Sequence, residues 1–178
     1  DLYPVFPNNS ANTYSASFDG TDDYVDCGTG IGDALGDNYT GDLSVSMWLK
    51  ADTVGADDAA FSIGAFAGAH GPFTIHVAST NLYVSLAAFA WYRIVAFADT
   101  TNWNHVVVVY KAGSEADSKL YLNGVSVGAV NGTFPATTAM DFAGMKTAIG
   151  AYKSASYTFD GKIDECAIWN SALDADSV

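Results

Sequence analysis

The chemistry open to this chain is set first by its acids. Twenty acidic residues stand against seven basic ones, and all but two of the acids are aspartate, the exceptions being Glu115 and Glu165. Glycoside hydrolysis needs two carboxylates flanking one bond, roughly 5 to 9.5 Å apart. Asp160, Asp164 and Glu165 come close together in the chain, but beside the turn signal Asp160-Gly161. The three histidines, His70, His76 and His105, supply no third ligand in register for zinc. No strand-to-helix nucleophile elbow accompanies them, so catalysis is the poorest fit. Aspartates crowded into a turn suit a different task, the hard-oxygen ligation of Ca²⁺. Neither the spacing of these aspartates nor any loop matches an EF-hand, so the sequence pattern by itself assigns no calcium ligands. Aromatic side chains offer a third chemistry: an exposed ring stacks on the apolar face of a sugar while Asp, Asn, Arg or His fix its hydroxyls. Trp91, Tyr92 and Arg93 stand consecutively in an apolar stretch. Across neighbouring strands His70, His76 and Tyr83 could join them.

The elements that must position these residues read as strands. Aspartate and the 17 glycines favour turns over helices. Leu43, Val45, Met47 and Leu49 alternate with Ser44, Ser46, Trp48 and Lys50. Phe73, Ile75 and Val77 alternate with Thr74 and His76, and Leu82, Val84 and Leu86 with Tyr83 and Ser85. The valine-rich run His105 to Tyr110 reads as a strand covered on both faces. Asn123-Gly124 between two such runs is a strong hairpin signal, because both turn residues must take positive φ. Helix signals are weak; the best is a short turn at 170–174 that Ser171 could cap. The spacing predicts one all-β sandwich over 13–178, preceded by an extended arm at 1–12.

Charge excludes some partners. A net charge of −13 with scattered cations argues against nucleic acid and against anionic membrane surfaces. No apolar run approaches the roughly 20 residues that cross a bilayer. Cys27 and Cys166, 139 positions apart, match no metal knuckle; they are either two thiols or one disulfide. Three Asn-x-Ser/Thr strings begin at Asn8, Asn38 and Asn131 and matter only in a secreted eukaryotic protein.

Five strings, in order, resemble the laminin-G-like and concanavalin A-like jelly rolls. They are Phe18-Asp19-Gly20 with Asp22-Asp23-Tyr24-Val25, Leu43 to Lys50 around Trp48, Trp103-Asn104-His105-Val106, Leu120-Tyr121-Leu122-Asn123-Gly124, and Phe159-Asp160-Gly161 through Ile163-Asp164-Glu165 to Leu173. The resemblance implies a two-sheet antiparallel sandwich of about a dozen strands. It implies that the first and last strands pair, bringing Cys27 and Cys166 onto neighbouring strands, where they stand either as a disulfide or as two reduced thiols. It also implies a structural Ca²⁺ held by Asp19 and Asp164, with Asp22 and Asp23 beside them. Trp48 and Trp103 fall on framework positions expected in the core, and Trp169 on a structural one. Trp91 matches no framework string, which makes Trp91, Tyr92 and Arg93 the expected ligand patch. The catalytic strand pattern of the family's hydrolases, Glu-x-Asp-x-x-Glu, is absent. The expectation is a non-catalytic carbohydrate-binding or adhesion module on an extracellular, cell or virion surface, bound to a glycan or glycoprotein. The alternative is a structural decoration domain of a phage or virus particle, its arm adding a strand to a neighbouring subunit.

Overall fold

The computed structural model describes residues 14–54, 57–64, 72–86, 90–127, 129–130, 140–152 and 157–178, with the backbone alone for 90–94 and 129–130. The arm expected at 1–12 lies outside the described residues. Thirteen strands appear among those described: β1 (Ala16–Asp19), β2 (Val25–Asp26), β3 (Leu43–Ala51), β4 (Asp58–Ile63), β5 (Phe73–Ala78), β6 (Asn81–Leu86), β7 (Ala90–Ala96), β8 (Asn104–Tyr110), β9 (Lys119–Leu122), β10 (Val125–Val127), β11 (Ala129–Val130), β12 (Thr147–Ile149) and β13 (Asp160–Trp169). One helix, α1 (Gly30–Leu35), follows β2, and a 3-10 turn spans Ala175–Ser177.

The strands form a jelly-roll sandwich. One sheet has the order β1-β13-β3-β8-β9-β10 and the other β11-β7-β6-β5-β4-β12-β2. Period-two alternation explains the core. Leu43, Val45, Met47 and Leu49 of β3 are fully buried, as are Ile63 of β4 and Phe73, Ile75 and Val77 of β5 on the facing sheet. Each such side chain contributes roughly 1.5–3 kcal/mol by leaving water. In β8, Val106 and Val108 join this core. Val107 and Val109, on the opposite face, are 1% and 2% exposed, so the run is covered on both sides as its composition predicts. That end of the outer face carries the C-terminal segment. The Ser44 hydroxyl donates to the Ser171 carbonyl (2.7 Å) and accepts from the Leu173 N–H (3.1 Å). The β9–β10 hairpin turns at Asn123 and Gly124, both at positive φ.

Several expectations are corrected here. The first and last strands do pair, Ala16 with Ile163 through Asp19 with Asp160. The chain then crosses to the other sheet, where Val25 and Asp26 pair with β12. Cys27 therefore follows a strand of the sheet opposite to that of Cys166, and of the two alternatives the cysteines stand here as thiols. Helix α1 carried no sequence signal because two of its six residues, Gly30 and Gly32, are glycine, and Gly28 and Gly36 stand close on either side. Gly32 is there for space: a Cβ would stand 2.4 Å from the Met145 carbonyl oxygen. The terminal turn begins after Asp174 rather than at Ser171.

Candidate functional site

Strand β3 is central in its sheet, so its outward residues Ser46, Trp48 and Lys50 lie on an open face between β13 and β8. Along β13 the register sets Lys162 opposite Lys50, Asp164 opposite Trp48 and Ala167 opposite Ser46. Glu165 and Cys166 thus both oppose Met47, which is a β-bulge. Strict alternation from buried Ile163 would turn Glu165 inward. The bulge instead holds Glu165 at φ 48°, exposed, and turns Cys166 against the core. The Glu165 N–H donates to Asp164 Oδ1 at 2.8 Å, and two carboxylates come to share the outer face. Burial pushes the Cys166 thiol up to about 12, with the Cys27 thiolate adding to the effect.

On the other flank, the Trp48 ring stacks on His105 with centroids 4.9 Å apart. His105 Nε2 is 2.9 Å from the Ser46 hydroxyl, and its backbone N–H donates to Asn123 Oδ1. Partial burial lowers the His105 pKa, partly opposed by the charge of Glu165. Trp103 precedes β8 and is 37% exposed. The loop before it is tied by Asp99, whose carboxylate accepts from both the backbone and side chain of Thr101 and of Asn102. Those bonds, with that from the Asn102 side chain the largest, hold the Asp99 carboxyl well below its ordinary range. Tyr14 and Ser15 close the groove from the β1 edge, Tyr14 being 85% exposed. The result is an open groove of about 500 Å³ with Trp48, Trp103 and Tyr14 as apolar faces, Lys50 and Lys162 as donors, and Asp164 and Glu165 as acceptors.

The Ser46–His105 contact lacks an oxyanion cradle from its own strand. Strand β3 is paired on both sides, so its backbone N–H groups are spent in the ladders and form no oxyanion cradle. Gly124-Val125-Ser126-Val127-Gly128 spells the pattern of a nucleophile elbow, but Ser126 lies within hairpin strand β10, away from any strand-to-helix turn.

Two framework expectations fail. Trp48 and Trp103 are groove residues, not core, because both stand on the solvent side of their sheet. Trp169, also 37% exposed, lies farther along the same outer face. Of the expected ligand patch, His70 lies outside the described residues. Trp91, Tyr92 and Arg93 are described in backbone only, Trp91 pairing with Ser85 and Arg93 with Val84. His76 is 1% exposed, its Nδ1 2.9 Å from the Tyr152 hydroxyl and its ring stacked on Tyr83. It is therefore a buried polar group of the seven-stranded sheet, and Tyr83 beside it is half-buried.

The aspartates divide. Ligand atoms of Asp19, Asp22 and Asp23 lie within 4.8 Å of one another in the exposed turn after β1. Their oxygens are the donor chemistry a hard cation takes. Asp164 does not join them, since it is Asp160 that pairs with Asp19 while Asp164 faces Trp48. Asp58, at the start of β4, is 6% exposed and its Oδ2 has no hydrogen-bond partner.

A family profile described as the concanavalin A-like lectin/glucanases superfamily matches residues 19–178. The chain belongs to that superfamily. No sequence among the curated proteins matches it. Among solved structures of the same fold, the Ruminococcus gnavus IT-sialidase CBM40 bound to α2,3-sialyllactose aligns at 16% identity and TM-score 0.65, over 92% of this chain and 95% of that one. The NanB sialidase from Streptococcus pneumoniae aligns at 19% identity and TM-score 0.61, over 90% of this chain and 26% of that one. Domain 4 of AbnA, an extracellular arabinanase of Geobacillus stearothermophilus in complex with arabinotriose, aligns at 22% identity and TM-score 0.53, over 80% and 68%. The lectin/glucanase-type sandwich thus spans about a quarter of the sialidase chains it matches. Among the described residues, no helix is long and apolar enough to cross a membrane.

Proposed function

We propose that this domain is a non-catalytic carbohydrate-binding module that holds a glycan across the outer face of its six-stranded sheet. The observation that carries the reading is the open groove in which Trp48, Trp103 and Tyr14 flank charged donors and acceptors. Stacking on indole faces and hydrogen bonding of hydroxyls to Asp164, Glu165, Lys50 and Lys162 is a binding chemistry that needs no bond cleavage. Asp164 and Glu165 are consecutive residues, without the Glu-x-Asp-x-x-Glu spacing by which the family's hydrolases set two carboxylates about a glycosidic bond. Similar folds bound to sialyllactose and arabinotriose support the same class of ligand. Such ligands are met on cell and extracellular surfaces, and we place the domain there. A Ca²⁺ ion held by Asp19, Asp22 and Asp23 belongs to the same reading as a brace for the turn after β1, distant in role from the groove.

A glycan array tests it, run on the domain, on Trp103→Ala and on Trp91→Ala, each with and without EDTA. The expected result is a defined set of bound glycans, weakened at least about tenfold by Trp103→Ala, the loss typical of a central aromatic anchor. Loss with Trp91→Ala and not with Trp103→Ala moves the ligand to the seven-stranded sheet. A blank array with a folded domain overturns the reading in favour of a surface-decoration role.

A further inference from the structure

The groove carries a charge arrangement that the sugar-stacking chemistry does not require. Lys50 and Lys162 lie directly opposite each other on neighbouring antiparallel strands and line the same wall. Like charges in that relation destabilise a sheet. The chain has only seven cations, and two others, Lys111 and Lys146, are each committed to an aspartate at 2.6 Å. The Lys50 and Lys162 ammonium groups form no ion pair among the described residues, in a molecule with 20 acids to offer. Gly161 tightens the arrangement. Its missing side chain leaves room for the Lys50 carbonyl, which would stand 2.2 Å from a Cβ.

We propose that the groove is built for an acidic saccharide whose sugar carboxylate docks between Lys50 and Lys162. This deepens the carbohydrate reading and rests on it. A carboxylate there relieves the repulsion and gains charge-assisted hydrogen bonds from both ammonium groups. The remaining wall limits the ligand to isolated charges. Asp164 and Glu165 follow Lys162 along β13 and accept hydroxyls, while they repel a second anion next to the first. The field of a molecule with net charge −13 also repels a polyanion at longer range. Uronic and sialic acids both carry such a single carboxylate; a densely sulfated chain does not fit.

Isothermal titration tests this with three ligands: a uronate oligosaccharide, its carboxyl-reduced neutral counterpart, and sialyllactose. The domain is compared with Lys50→Gln and Lys162→Gln, and the titrations are repeated at raised salt. The expected result is binding of at least one acidic ligand, with the better of the two naming the source of the carboxylate. The neutral counterpart, and the acidic ligand on either variant, bind about tenfold or more weakly, as loss of a charged hydrogen bond implies. Salt weakens only the acidic ligands. The ligand comparison on the unaltered domain does not depend on the variants, whose folding is checked by thermal melting. Equal affinity for the uronate and its neutral counterpart, with both variants unaffected, overturns the carboxylate proposal and leaves the carbohydrate reading standing. Binding of neutral arabino- or gluco-oligosaccharides alone does the same. No binding of any saccharide overturns both.

Discussion

At the scale of single residues, Asp58 is a buried acid, and its Oδ2 has no hydrogen-bond partner among the described residues. Burial, followed by the charges of Asp160 and Asp57, pushes the Asp58 carboxyl up to about 6. Asp160, the larger of these neighbours, is already engaged by the Thr53 hydroxyl at 3.0 Å. A carboxyl whose pKa is higher in the folded chain than its ordinary 3.8 binds a proton more tightly folded than unfolded. Stability therefore falls as pH rises from about that ordinary value to about 6, and is level above. Asp58→Asn should raise Tm at neutral pH and flatten the dependence below pH 6, measured by thermal melts across that range. An unchanged neutral Tm would mean that the ionised carboxylate is compensated in the fold. Trp48 and His105 show the opposite economy: partial burial depresses the imidazole that stacks on the indole, which favours its neutral form.

At the scale of elements, the bulge in β13 is what makes the groove polar. It costs backbone strain, since a non-glycine residue in the left-handed region is disfavoured by roughly 1–2 kcal/mol. Glu165→Gly relieves that strain but adds unfolded-chain entropy of roughly 0.5–1 kcal/mol, leaving a net gain of about 0.5 kcal/mol. Denaturant melts should show this variant slightly more stable, while titration shows weaker ligand binding because the carboxylate is gone. A variant that is less stable would show that Glu165 makes contacts worth more than its strain. The same element explains what could be read from the chain alone. The β3 alternation had already set Trp48 and Lys50 on the face opposite Leu49; the framework comparison overruled it and placed the tryptophan in the core. Lys162 and Asp164 follow from that alternation once β13 is known to pair with β3. The bulge does not follow, because it arises from register between segments more than 100 positions apart, and nothing local to Glu165 announces a positive φ. Cys27 was misplaced for a similar reason: between Asp19 and Val25 the chain changes sheets, and the strings that identify the fold do not encode the crossing.

At the scale of the whole molecule, a net charge of −13 and a pI near 4.1 mean that the folded state works against its own field at neutral pH. Screening by salt should raise Tm, because repulsion among exposed carboxylates falls as the Debye length shrinks to about 10 Å near 0.1 M. The turn holding Asp19, Asp22 and Asp23 concentrates that field, with three exposed carboxylates whose ligand atoms lie within 4.8 Å. Melting in CaCl₂ and in NaCl at matched ionic strength separates general screening from a bound ion. Specific binding adds stability as the logarithm of free calcium, about 2.7 kcal/mol when its concentration is a hundred times the dissociation constant. Asp22→Asn with Asp23→Asn should abolish that increment and keep the response to NaCl, since removing two of 20 acids leaves most of the field in place. Coincident curves for the two salts would make the trio turn acids only, with the Asx bond from the Thr21 N–H to Asp19 Oδ1 sufficient to shape the loop. In that case the crossing from β1 to β2 would be held by backbone bonds such as Gly20 N–H to the Phe159 carbonyl, and the groove would keep its geometry in EDTA.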